Sequence, residues 1–238
     1  MDCAKELHLF SARNEENTMK YKHYIWDFDG TIFDSYPHTC EVFWDILGEE
    51  GLQEGRTKEE IMLHLLVSFG DARRFSGISD EGYARFMEIT HRLGDEETLP
   101  IVIPFEDCEK VLRAVIANGG KNYIYTHRNE TVHWYLEKFG VADCFSDYVI
   151  ENDGFPMKPA PDAVNSIVER NGLDRSECIM IGDREIDGLS GRNAGIASAL
   201  VNYAPSLPDG RDPAEVSVLD YKAKSLTEFA RMMEIAGV

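Results

Sequence analysis

The chain has 238 residues, long for one compact domain and short for two full ones, so one core domain with a smaller insertion fits. Its 43% hydrophobic and 28% charged residues suit a globular protein, and no apolar run approaches the ~20 residues needed to cross a bilayer, so no membrane partner is expected. The formal charge of −19 would repel a phosphate backbone, so nucleic acid is not expected as a partner either.

The first twenty residues, MDCAKELHLFSARNEENTMK, read as a loose leader, 1–20, without the apolar stretch and cleavage site of a secretory signal. A cytoplasmic location is expected. Met19 stands just before the first strand pattern and is a candidate physiological start, which the intact mass of the native protein would decide. The five cysteines, Cys3, Cys40, Cys108, Cys144 and Cys178, are odd in number and scattered, which predicts reduced, buried thiols.

In chain order, an apolar strand is predicted over Tyr24–Phe28. The stretch from about Tyr36 to Thr98 then carries helical patterning with no good strand. Within it, Thr57 and Glu60 form a capping-box pattern, and Ser79-Asp80-Glu81 opens a helix running to His91. Beyond it, helices over Asp107–Asn118, Glu130–Phe139, Ala160–Asn171 and Glu185–Asn193 alternate with strands over Asn122–Tyr125, Tyr148–Ile150, Cys178–Ile181 and Ala197–Val201. A last helix follows Ser225, with Glu228 completing a second capping box. The alternation predicts an α/β fold: a Rossmann-like parallel sheet with helices on both faces. The helical block, 36–98, is predicted to be an inserted cap over the carboxyl edge of a core formed by 21–35 and 99–238, the edge where open α/β sheets bind ligands.

Chemistry-bearing residues fall at the ends of these strands. Asp27 and Asp29, in IWDFDGT, are two carboxylates so close that joint ionisation requires a cation or separate roles. They read either as a metal-bound nucleophile with a proton shuttle or as solvated turn aspartates. Thr126 ends the strand NYIYT, where its hydroxyl and the following N–H groups can hold phosphate oxygens. Lys158, in GFPMKPAPDA, can neutralise both a nucleophile and a bound phosphate, and by itself reads equally as a solvated loop lysine. Asp183 ends the strand CIMI, and Asp187 follows one helical turn later, so both can face one point suited to a hard cation such as magnesium.

Taken together, Asp27-Phe28-Asp29-Gly30-Thr31, Thr126, Lys158 and Gly182-Asp183 with Asp187 resemble the four motifs of the haloacid-dehalogenase-like superfamily, from about Tyr24 to Val201. The segment DSYPHTCEVFWDILGEEG is similar to the phosphoglycolate-phosphatase-type subgroup, whose helical cap is inserted there. The resemblance implies a Mg2+-dependent phosphatase acting on a small phosphorylated metabolite. Asp27 would form an aspartyl phosphate and Asp29 would act as acid and then base. The Asp27 carboxylate, the Asp29 carbonyl and the Asp183 carboxylate would hold the metal, with Asp187 orienting a metal-bound water. Thr126 and Lys158 would hold the transferring phosphoryl group. Two departures from the family pattern stand out: Pro104-Phe105 where a proline-glycine is common, and His127-Arg128 where asparagine is common.

A sugar phosphomutase of the β-phosphoglucomutase type shares these core residues, although His38 lies one position early for it. A catalytically silent binding protein of the same fold is the other alternative. In the cap, Arg73, Arg74, His91 and Arg92 are candidates to touch the polar end of a substrate.

Overall fold

The computed structural model describes residues 19–91, 102–203 and 219–238. Residues 1–18 of the leader, Cys3 among them, and residues 92–98 of the helical block, Arg92 among them, lie outside the described residues. Six parallel strands form one sheet: β1 (His23–Trp26), β4 (Lys121–Tyr125), β5 (Phe145–Val149), β6 (Cys178–Gly182), β7 (Ala197–Val201) and β8 (Tyr221–Ala223), in the order β5-β4-β1-β6-β7-β8. Strand β1 therefore lies between β4 and β6, with the chain working outward to β5 on one side before crossing to β6 on the other. That reversal opens a crevice beyond the carboxyl end of β1.

Side chains alternate across the strands, and the alternation explains why both faces are covered. Tyr24, Trp26, Ile124, Ile179 and Ile181 pack one face against α5 (Cys108–Ala117), α6 (Thr131–Lys138) and α9 (Leu226–Met232). Ile25, Tyr123, Tyr125 and Met180 pack the other against α7 (Asp162–Arg170), beside α8 (Glu185–Asn193). One polar pair is built into the first face: Trp26 Nε1 donates to Asn122 Oδ1 at 2.9 Å, and Asn122 Nδ2 donates to the carbonyls of Leu112 and Cys144.

Between the first and second sheet strands the chain leaves through β2 (Phe33–Asp34) and returns through β3 (Ile103–Pro104), which pair antiparallel. Pro104 is thus paired with Phe33, and Phe105 stacks on Tyr203 with ring centroids 3.8 Å apart. Between these stems lie α1 (Tyr36–Glu49), α2 (Lys58–Val67), α3 (Phe69–Ser76) and α4 (Asp80–His91), which bury their own cluster around Phe43, Leu47, Ile61, Leu65 and Phe86. The Thr57–Glu60 capping box forms in full at the start of α2. At α9, Ser225 Oγ accepts from Glu228 N, but the Glu228 carboxylate reaches one residue further, to Lys224 N.

Several boundaries differ from the sequence reading. Strand β5 starts at Phe145, because Phe145 and Val149 supply its buried positions, and it stops before Ile150, whose N–H is taken by Asp153 Oδ2 at 2.9 Å. Asp107 does not cap α5 with its side chain: it adopts a left-handed backbone, and its carboxylate accepts from Thr227 Oγ1 at 2.6 Å. Cys40, Cys108, Cys144 and Cys178 are free and buried. No described helix is long and apolar enough to cross a membrane.

Candidate active site

The crevice beyond β1 gathers the predicted residues. Asp27 follows β1 directly and extends its ladder by donating its backbone N–H to Ile181 O at 2.8 Å. Thr126 does the same beyond β4, donating to Val149 O at 3.0 Å, and Asp183 follows β6. Asp27, Thr126, Lys158, Asp183 and Asp187 are all buried. Such desolvation makes each charge depend on its neighbours.

Lys158 is the hub. Its ammonium donates to Asp27 Oδ1 at 2.5 Å and lies 2.9 Å from Asp187 Oδ1, with its side chain fully buried. The Lys158–Pro159 peptide is cis, and Lys158 N donates to His127 Nε2 at 3.0 Å. His127 therefore braces the lysine loop. The Thr31 hydroxyl donates to the other Asp27 oxygen at 3.4 Å, and Thr126 Oγ1 accepts from Arg128 N at 3.0 Å.

Asp27, Asp183 and Asp187 each offer an oxygen, all within 4.8 Å of one another. Asp183 Oδ2 accepts from Tyr36 Oη at 2.6 Å, and the Asp183 carbonyl accepts from Asn202 Nδ2 at 2.8 Å. Asp183 Oδ1 is buried without a hydrogen-bond donor. An acceptor so placed, among converging carboxylates, fits a hard divalent cation. Burial, with the Asp187 and Asp27 charges adding to it against Arg184, pushes the Asp183 carboxyl up to about 8. Burial likewise raises Asp27 to about 6, against the pull of Lys158. Asp187 goes the other way, because Lys158 and Arg184 outweigh its burial and keep it ionised. A cation among these carboxylates would relieve their mutual repulsion.

Two glycines permit the close approach. Gly30 has φ +79°, and a Cβ there would fall 2.5 Å from both Asp183 Oδ2 and the Tyr36 ring. At Gly182 a Cβ would fall 2.0 Å from that of Asp187.

Asp29 is held apart from the carboxylate trio. Arg128 donates to both its oxygens, from Nε at 3.0 Å and Nη2 at 2.5 Å, and also lies over the rings of Phe28 and Tyr135. This fork outweighs the burial of Asp29 and holds its carboxyl below the usual range. A cleft of about 160 Å³ opens here, lined by Asp29, Arg128, Lys158 and Arg184 from the sheet side and by Thr39, Phe69, Met87 and Thr90 from the helices.

Tyr36, Arg184 and Asn202 escaped the sequence reading, which named Arg128 only as a departure from pattern. Four consecutive residues of a strand-to-helix turn, Gly182 to Glu185, hide Arg184 behind a better-known neighbour. Of the cap candidates, Arg73 pairs with Asp80 and lies over Tyr83, while Arg74 pairs with Asp71, and neither lines the cleft. Nothing is described of the His91 side chain.

Residues 24–201 match the model of the haloacid dehalogenase-like hydrolase family, so the chain belongs to that enzyme family. Among curated relatives it is 29% identical to the pyrophosphatase PpaX of Halalkalibacterium halodurans, over 90% of this chain and 96% of that one. It is 27% identical to the phosphoglycolate phosphatase of Vibrio vulnificus strain YJ016, over 89% and 96%. A solved structure from Lactobacillus delbrueckii subsp. bulgaricus superposes with a TM-score of 0.70 at 21% identity, over 90% of this chain and 99% of that one, and so shares the fold.

Proposed function

We propose that this enzyme is a Mg2+-dependent phosphatase that hydrolyses a small phosphorylated metabolite through an aspartyl phosphate on Asp27. The reading rests above all on Lys158, one buried ammonium bridging the carboxylates of Asp27 and Asp187. It gains support from relatives named as phosphatases and from a cleft whose helical wall leaves room for a small substrate.

In this reading Asp27, the Asp29 carbonyl and Asp183 hold the metal, with Asp187 positioned behind them. The metal supplies charge stabilisation for the phosphoryl oxygens. An oxygen of Asp27 attacks phosphorus as the ester oxygen leaves; Asp29, which must first leave the Arg128 fork and take up a proton, gives that proton to the leaving alkoxide and becomes a carboxylate. Asp29 then removes a proton from water as that water attacks the aspartyl phosphate, returning Asp27 and releasing phosphate. Thr126 and Lys158 hold the transferring group, and Lys158 offsets the charge on Asp27 before attack. The helical block 36–98 acts as the cap over the 21–35 and 99–238 core, excluding bulk water. The four buried free thiols suit a cytoplasmic location.

The test is phosphate release from p-nitrophenyl phosphate with and without Mg2+, joined to rapid acid quench and peptide mass analysis. A phosphoryl increment on the Asp27 peptide is expected during turnover. Hydrolysis that persists after exhaustive chelation would overturn the metal assignment, and a phosphoryl group trapped on another residue would overturn the nucleophile. A sugar phosphomutase would instead return an isomer of a sugar phosphate with little free phosphate.

A further inference from the structure

Among the described residues, the helices line the cleft with Thr39, Phe69, Met87 and Thr90. Neither hydroxyl is left to donate to a ligand. Thr39 Oγ1 donates back to Ser35 O at 3.0 Å, and Thr90 Oγ1 turns to the carbonyls of Phe86 and Met87 at 2.9 and 3.1 Å. From the sheet side, Ile186 of α8 and Met157, the residue before Lys158, line the same cleft. Ile186 and Met157 join none of the hydrophobic clusters among the described residues, and Met157 is 63% exposed. The cations of the cleft are already matched: Lys158 by Asp27 and Asp187, Arg128 by Asp29, and Arg184 by Asp183 at 3.9 Å.

Apolar side chains held at a cleft, outside any core, gain only when a ligand takes them out of water. A polyol there would give up its hydration without finding donors on the helical wall, and a second charge would be desolvated beside cations that already have partners. A hydrocarbon group loses nothing by entry and buries its own surface as well. We infer that the leaving group lies between Phe69 and Met87 on one side and Ile186 and Met157 on the other, and is an uncharged, mainly hydrocarbon alcohol or phenol. The preferred substrate is then its phosphate monoester. This departs from the phosphoglycolate and pyrophosphate that the relatives' names carry, and from a sugar phosphate.

The inference rests on the phosphatase reading for which end is transferred, but its test needs no turnover. Titration calorimetry of the full chain in excess Mg2+ would compare methylphosphonate with propylphosphonate and with phosphonoacetate, the last two being close in size. The wild type should bind propylphosphonate about tenfold more tightly than methylphosphonate, the worth of two methylenes withdrawn from water. It should bind phosphonoacetate no more tightly than methylphosphonate. Ile186→Ser and Met157→Ser should each cut the propyl preference to about threefold or less. Met157→Ser changes an exposed position, and decides the matter if the other variant does not fold. Tighter binding of phosphonoacetate than of propylphosphonate would overturn the inference, as would a wild type without a propyl preference, or a preference that Met157→Ser leaves untouched. Failure of the wild type to hydrolyse p-nitrophenyl phosphate would sink the phosphatase reading while leaving the binding comparison intact.

Discussion

The hydroxyl of Tyr36 donates to Asp183 Oδ2 at 2.6 Å, tying the first residue of α1 to the carboxylate at the end of β6. The helical insertion therefore begins with a side chain that orients a candidate metal ligand. Outer partners of this kind fix ligand geometry, and their loss typically weakens metal binding by about 10–100-fold. Tyr36→Phe should weaken Mg2+ affinity at the lower end of that range in a calorimetric titration. Added Mg2+ should also raise its melting temperature less than it raises that of the wild type.

Asp27→Asn should remove turnover while keeping the fold. Removing a nucleophile commonly costs about 10⁴-fold or more in rate. Lys158 keeps Asp187 as a partner in the variant, so no buried charge is stranded. Loss of phosphate release with an unaltered circular dichroism spectrum and a cooperative melt is the expected pair of results. Wild-type turnover would exclude Asp27 as the nucleophile.

Arg128→Ala leaves Asp29 without its fork. The Asp29 side chain is 32% exposed, so water can partly replace the lost donors. The cost to stability should then be about 1–3 kcal/mol, below that of breaking a fully buried pair. Urea unfolding of the variant against wild type measures it.

Asn122→Leu tests the polar pair inside the core. The substitution removes the acceptor for Trp26 Nε1 and the donors to the Leu112 and Cys144 carbonyls, all inside the packed face of the sheet. Stranding these groups should cost about 2–4 kcal/mol, because each buried orphan loses its hydration without a replacement. A melting temperature equal to wild type would show that the pair contributes little.

Asp147 should give stability a dependence on acid pH. Arg170 and Asn171 of the adjoining helix turn, together with Tyr148 N, outweigh its partial burial and hold its carboxyl below the usual range. Because the folded value lies below the unfolded one of about 3.9, the contribution is complete above about pH 5 and fades as pH falls through the folded value. Asp147→Asn should show a shallower loss of unfolding free energy between neutral pH and pH 3 than wild type. Identical slopes would remove Asp147 from the acid response.

The local features were legible wherever one segment carries its own pattern. Thr57 and Glu60 lie three apart and cap α2 as their spacing predicts, and the apolar run Cys178–Ile181 forms the strand it suggests. Short elements were not. Strands β2 and β3 have two residues each, and β8 is a three-residue edge strand with half-exposed positions, too short for alternation to register.

By itself the sequence determined which strand ends carry carboxylates and a hydroxyl, because each strand-forming run and the polar residue that ends it are neighbours in the chain. Asp27, Thr126 and Asp183 are readable from segments of five or six residues. Only the tertiary structure decided who pairs with whom. Arg128 meets Asp29 across 99 positions, and Tyr36 meets Asp183 across 147. Such contacts follow from the order of strands around β1, and no local periodicity encodes that order.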